Sequence, residues 1–289
     1  MKDQIEELLT EIYEKQVSVV DFIQKGGGCI NETQILCLSI GKRVFLKHHS
    51  SPPEGFFSKE ARGLKMLGVV NGGPRVPKVL SARHESFLLL EYIPQEPPRE
   101  GFYESFARDL VALHRTSDRH YGLDHDNFIG KTKQKNTKEE NPIVFFSEHR
   151  IRFQQTLARQ QGLLPIEIDR NLDIVCDRLG DLLDVTGEKP ALCHGDLWSG
   201  NYLCGQGQMA CIFDPAVHFS LRETDLAMTE LFGRMPQRFY DAYNEVFPIN
   251  PGYEQRRDIY NLYHLLNHVN LFGASYLDSV QSILKNFIK

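Results

Sequence analysis

The chain lacks any uncharged apolar run approaching the ~18 to 20 residues that a membrane span requires, so no transmembrane helix is expected. It has 33 Lys and Arg against 38 Asp and Glu, a net charge of -5, so it has no general pull toward nucleic acid. Its six cysteines, Cys29, Cys37, Cys176, Cys193, Cys204 and Cys211, include no CxxC pair, which argues against a zinc site and a disulfide framework. The opening "MKDQIEELLTEIYEKQ" is acidic and amphipathic and lacks the apolar stretch of a signal peptide. Reduced thiols in a cytoplasmic protein, with no membrane partner, follow. No internal repeat or low-complexity tract is visible. The hydrophobic fraction of 41% and charged fraction of 25% are those of a globular chain, and 289 residues suit two lobes.

Three strand-like runs lie between residues 17 and 47, "VSVVDFI", "TQILCLSI" and "GKRVFLK", with Gly41-Lys42 suited to a two-residue hairpin. After "SSPPEG", the segment "FFSKEARGLKML" places Glu60, Leu64 and Leu67 along one helical stripe. "KVLSARHESFLLLEYI" predicts two further strands, and "PQEPPREG" breaks the pattern, marking a hinge. Beyond it, "FYESFARDLVALHRT", residues Asn171 to Leu183 and "RRDIYNLYHLLNHVNLFGASYL" read as helices. "KTKQKNTKEENP" reads as a charged, solvated surface loop. The expectation is an α+β chain with a small antiparallel-sheet lobe over residues 1–94 and a larger, mainly helical lobe over 95–289.

The chemistry gathers in "LCHGDLWSGNYL", where a core would have no use for so many polar residues and glycines. His194, Asp196, Leu197 and Asn201 fit H-x-D-L-x-x-x-N, the catalytic-loop spacing of protein kinases. The aspartate must reach an attacking hydroxyl while the asparagine turns back to a magnesium ion on nucleotide phosphates. Asp214, after the strand-like "ACIF", supplies a second hard oxygen for magnesium. Lys47 at the end of the third strand and Glu60 in the next helix match the ion pair that orients the α and β phosphates. Gly26, Gly27 and Gly28 lie between the first two strands, either as a phosphate-covering loop or as a flexible turn. Backbone groups near Glu91 and Ile93 are placed to meet an adenine edge. "DFG" and "APE" are absent, which disfavours a protein-serine kinase.

Together "HGDLWSGN", "IFDPA", "RETDLAMTELFG", "DNFIG" and "FFSEHRI" resemble the fructosamine kinases, or ketosamine-3-kinases, over nearly the whole chain. The resemblance implies the bilobal protein-kinase-like fold shared with aminoglycoside and choline kinases. It also implies transfer of phosphate from ATP, with Mg2+, to the sugar 3-hydroxyl of free or protein-bound ketosamines, whose phosphorylated adducts then decay. Carried over by motif, Asp196 is the catalytic base, Asn201 and Asp214 hold the metal, and Lys47 with Glu60 orients the nucleotide. Trp198 is either a platform for the sugar-amine or a buried structural residue. Asp225 and His194 read as braces of the catalytic loop, and His114 as a packed helix histidine. Many relatives have "PQxN" where this chain has "KQKN" (residues 133–136), and Lys131, Lys133 and Lys135 either line the acceptor cleft or solvate a loop. Cys29, among loop glycines, is either an oxidisable thiol that suppresses ATP binding or links two chains, or an inert small residue. A monomer or a redox-linked dimer is expected.

Overall fold

The computed structural model describes residues 1–25 and 31–288; the readings made of Gly26, Gly27, Gly28 and Cys29 fall outside them. The first part of the chain runs α1 (Lys2–Tyr13), β1 (Val19–Lys25), β2 (Glu32–Leu38), β3 (Arg43–His48), α2 (Phe56–Gly68), β4 (Val79–Ser81) and β5 (Phe87–Glu91). The strands form one antiparallel sheet in the order β1-β2-β3-β5-β4. The run "FLLLE" is continuously apolar because both faces of β5 are covered. Phe87 and Leu89 pack with Ile5 and Leu9 of α1, whereas Leu88 and Leu90 pack with Phe57, Ala61 and Leu64 of α2. The connection between β2 and β3 is longer than the predicted two-residue hairpin. Leu38 N donates to Lys42 O and Gly41 N to Leu38 O, with Gly41 at φ 76°. A glycine is needed there for that positive φ.

The rest of the chain is mainly helical. It contains α3 (Phe102–His114), β6 (Asn127–Ile129), β7 (Thr132–Gln134), α4 (Pro142–Phe146), a π-helical turn (Ser147–Ile151), α5 (Arg152–Gln160), α6 (Ile166–Asp177) and α7 (Leu179–Leu182). There follow β8 (Ala191–Cys193), β9 (Tyr202–Gly205), β10 (Met209–Ile212), β11 (His218–Ser220), α8 (Glu223–Leu231), α9 (Gln237–Val246), α10 (Tyr253–Phe272) and α11 (Leu277–Phe287). Its core is built on α10, whose Ile259, Leu262, Leu266 and Val269 are buried together with Phe146, Leu172 and Leu284. No described helix is long and apolar enough to cross a membrane.

Two local readings need correction. The helix expected from Asn171 starts earlier, after Pro165, and breaks at Arg178, where ψ turns to 2°. "KTKQKNTKEENP" is not simply a solvated loop, because it contains β7, and Gln134 and Asn136 are each only 1% exposed. The proline-rich stretch after β5 is also tied down: Glu96 N donates to Cys204 O, and Arg75 exchanges backbone hydrogen bonds with Ala210 and Ile212. The β9–β10 hairpin is thereby hydrogen-bonded to the first part of the chain as well as to its own.

Candidate active site

Two small strand pairs frame the site. β8 pairs with β11 through Cys193↔His218, and β9 pairs with β10 through Tyr202↔Ile212. The loop 194–201 therefore leaves one pair and enters the other, and residues 213–217 make the return journey beside it. Phe213 N donates to Asn201 O, and Ala216 N donates to His194 O, which locks the two loops together. Gly195 has φ 83°, and a Cβ there would lie 2.2 Å from Ala216 O, so only glycine permits this approach.

Asp225 secures the loop 194–201 from beneath. Its carboxylate accepts the amide N–H of His194 at 2.7 Å and of Gly195 at 2.8 Å, and His114 Nε2 donates to it at 3.2 Å. Burial alone would raise this carboxyl, but these hydrogen bonds and the nearby histidines hold it below the ordinary aspartate value. Tyr243 OH donates to His114 Nδ1 at 2.7 Å, completing the chain. His194 gives its Nε2–H to Phe213 O at 2.9 Å while Nδ1 receives the Asp196 amide at 3.3 Å. Burial lowers its pKa, so the ring is held neutral with both nitrogens engaged, a brace in its geometry.

Above this base, Lys47 Nζ donates to Glu60 Oε1 at 2.6 Å and to Asp214 Oδ1 at 2.8 Å. Burial works against the Lys47 ammonium, but the carboxylates of Asp214 and Glu60 more than offset it and raise its pKa. Burial raises the Glu60 carboxyl, with Lys47 opposing the shift. Asp214 is one of few non-glycine residues at positive φ, 57°, a conformation aspartate tolerates better than most side chains. Asn201 Nδ2 donates to Asp196 O at 2.8 Å and to Asp196 Oδ2 at 3.1 Å, which fixes both side chains. Burial, and then the neighbouring Asp214 charge, pushes the Asp196 carboxyl up to about 7.

Lys47, Glu60, Asp196, Trp198, Asn201 and Asp214 line one cavity of about 500 Å³. Lys47 and Asp214 lie 167 residues apart in the chain, and the fold alone brings them together. The family is decided by comparison with known proteins, in which the fructosamine kinase model matches residues 1–289. The chain belongs to the fructosamine kinase family. A probable ketoamine kinase of Vibrio parahaemolyticus is 36% identical over 286 residues, covering 96% of each chain. The chloroplastic protein-ribulosamine 3-kinase of Oryza sativa subsp. indica is 36% identical over 288 residues, 98% of this chain and 82% of that one. A crystal structure of a candidate fructosamine-3-kinase from Thermobifida fusca superposes with a TM-score of 0.85 at 33% identity, covering 98% and 99% of the two chains. The fold is the two-lobed, protein-kinase-like α+β fold of the aminoglycoside phosphotransferases, one of which matches at TM-score 0.64 and 16% identity.

The adenine-edge assignment changes. Glu91 N donates to Lys78 O at 2.8 Å and the Glu91 carboxylate takes Arg75 Nη2 at 2.6 Å, so the Glu91 amide is already committed. Ile93 is buried against Gly205, and neither residue lines the cavity. Of the three lysines, Lys133 pairs with Asp126 at 3.0 Å, and none lines the cavity. The described cysteines are free thiols, and burial pushes Cys176 up to about 11 and Cys211 up to about 12, which keeps them unreactive.

Several cavity residues were not singled out from the sequence. Phe232 meets His268 in a tilted contact with ring centroids 4.6 Å apart, His268 lies 5.0 Å from Tyr276, and Phe232 meets Trp198 edge-on at 6.3 Å. Asn267, also lining the cavity, has a buried Oδ1 with no hydrogen-bond partner among the described residues. The signal was present as the polar and aromatic residues of "HLLNHVNLF", whose His264, His268 and Phe272 recur at helical spacing.

Proposed function

We propose that the chain is an ATP-dependent kinase that phosphorylates the sugar 3-hydroxyl of ketosamines, leading to deglycation. The observation that carries this reading is the convergence of Lys47, Glu60 and Asp214 on one ammonium, with Asp196 and Asn201 in the same cavity. The oxygens of Asp214 and Asn201 are the hard donors that magnesium prefers, and the Asn201 Nδ2 is already spent on Asp196, which leaves its Oδ1 as the ligand atom. Magnesium held there would neutralise phosphate oxygens.

Lys47 carries a permanent positive charge to the nucleotide phosphates, and Glu60 fixes its direction. Asp196 takes the proton of the acceptor hydroxyl at Oδ1, since Oδ2 is held by Asn201. A carboxyl pushed up to about 7 is matched to proton transfer near neutral pH. The wall of Trp198, Phe232, His268 and Tyr276 presents aromatic faces to the sugar-amine, and such faces attract an ammonium. The unpartnered Asn267 Oδ1 offers that acceptor one hydrogen-bond acceptor. Backbone groups near Glu91 and Ile93, other than the Glu91 amide already given to Lys78 O, are the proposed place for the adenine edge, at the margin of the cavity rather than in its walls. Names of relatives, a ketoamine kinase and a ribulosamine 3-kinase, support the substrate class.

The test is magnesium-dependent ADP release from ATP by the reduced protein, with ribulose- and fructose-derived lysine adducts beside choline and an aminoglycoside. Turnover confined to the adducts and lost in Asp196→Asn is expected. Turnover of only another acceptor would overturn the substrate.

A further inference from the structure

The β6–β7 hairpin touches both halves of the phosphate site, and its Asn127, Phe128 and Gly130 also line the same cavity. On one side its buried amides grip the segment that follows Asp214. Asn127 Nδ2 donates to Val217 O at 2.8 Å, and Gln134 Nε2 donates to Ala216 O at 2.9 Å and to Asn127 Oδ1 at 2.8 Å. Asn136 Nδ2 adds a second bond to Asn127 Oδ1 at 2.8 Å, and Tyr263 OH from α10 donates to Gln134 Oε1 at 2.7 Å. Arg150, delivered by the π-helical turn and 1% exposed, donates to Lys135 O and to Asn136 Oδ1, with its guanidinium 4.5 Å from the Phe145 ring centre. A buried network with this many paired amides stiffens the segment it grips, although Arg150 Nε has no partner among the described residues.

On its other side the same hairpin meets α2. The Phe128 ring lies 5.2 Å from Phe56, and Lys59 Nζ stands 4.9 Å over it. Just before β6, Asp124 forms an ion pair with Arg62. Phe56, Lys59 and Arg62 are spaced three residues apart and so form one stripe of α2. Glu60, on the same helix, faces Lys47. α2 also rests directly on the segment after Asp214, since a Cβ at Gly63 would be 3.2 Å from Val217 Cγ2 and 3.5 Å from Pro215 Cγ.

From this arrangement we infer that the β6–β7 hairpin is a built-in positioning clamp, in which Phe128 holds α2 inward and so keeps the Glu60–Lys47–Asp214 contact assembled without a separate switching segment. The inference rests on the phosphotransfer reading of the site. Phe128 also lines the cavity, so the test must separate a wall role from the clamp; in the clamp it acts through α2 and is a positioning residue, not a catalytic one.

Phe128→Ala is compared with Phe128→Tyr and Phe128→Leu, using calorimetric affinity for ADP with Mg2+ and no acceptor present, followed by steady-state turnover. The expected result is ADP binding weaker by about fivefold or more in Phe128→Ala, with kcat about tenfold lower and the acceptor KM within about twofold. Phe128→Tyr, which keeps the ring on Phe56 and Lys59, should return ADP affinity to the wild-type value. Phe128→Leu should lie between them, and it decides the matter if Phe128→Ala does not fold. Unchanged ADP affinity in the folded alanine or leucine variant would overturn the clamp, as would a change confined to the acceptor KM, which would make Phe128 only a wall of the cleft. Because ADP affinity is read without any acceptor, failure of the ketosamine assignment leaves this test intact.

Discussion

Asp225→Asn is the substitution whose effect follows most directly from the geometry. The side chain keeps its size, so no cavity forms, but one of two acceptor oxygens becomes an NH2 group. The carboxylate now receives backbone N–H groups from His194 and Gly195 at 2.7 and 2.8 Å, and an amide can accept only one of them well. A hydrogen bond to a charged group contributes about 1.5–3 kcal/mol, and a buried donor left unpaired costs about 1–3 kcal/mol. The two together amount to roughly 3–5 kcal/mol. At about 2–4 °C per kcal/mol for chains of some 150–250 residues, the expected fall in Tm is roughly 6–20 °C. The freed amides belong to the residues immediately before Asp196, so turnover should fall as well, by about 100-fold for an ångström of misplacement. Circular-dichroism melting and kcat measured on the same preparation check both. A Tm within about 2 °C of wild type together with kcat within about twofold would show that Asp225 does not secure the loop.

Asp196→Asn should lower kcat by at least about 100-fold with ADP affinity retained within a few-fold, since a base contributes to chemistry rather than to nucleotide binding; calorimetry beside turnover checks the split. It should also raise Tm by a few degrees at pH 8. The folded carboxyl, pushed up to about 7, keeps a proton that the unfolded chain releases above about 4, so its stabilising contribution is lost as pH rises through that window. A variant no more stable at pH 8 would contradict the burial of Asp196 beside Asp214. The histidines act in the opposite direction: burial lowers His264 to about 3 and His218 well below its ordinary value. Their stabilising contribution is complete above about pH 6.5 and is lost as pH falls toward 3, so urea midpoints should decline from pH 7.5 to 5.5; flat midpoints would refute it. Gly200→Ala puts a Cβ 2.3 Å from the Trp198 ring. The indole must move, and the acceptor KM should rise about tenfold while ADP affinity holds; an unchanged acceptor KM would remove Trp198 from the acceptor wall.

The elements were legible in the sequence where one period dominated. The alternation in "TQILCLSI" and the stripe of Leu64 and Leu67 each have one solution, and the structure puts β2 and α2 there. "HGDLWSGN" was legible for another reason: its spacing is imposed by chemistry at a single point. What composition hid was the interior of "KTKQKNTKEENP". Gln134 and Asn136 look like solvated polar residues, and nothing in their neighbourhood shows that the Ala216 carbonyl, remote in the chain, will take the Gln134 amide or that Asn136 will bond the buried Asn127 side chain. Arg150 was hidden in the same way, because a buried guanidinium becomes credible only when its acceptors and rings are in view. The positive φ of Asp214 is likewise a consequence of tertiary closure rather than of local preference. Glu91 shows the converse: its strand was legible in the sequence, whereas the hydrogen bond its amide gives to Lys78 O was not.

The chain has a single tryptophan, and the fold places it in the wall of the cleft, against Phe232 and over Gly200. Every photon of indole emission from this protein therefore originates beside the candidate acceptor position. An occupant of the cleft alters the solvent around that one fluorophore, and no second indole dilutes the change. The enzyme carries its own optical probe, so occupancy can be followed on the stopped-flow timescale with no label attached and no residue replaced.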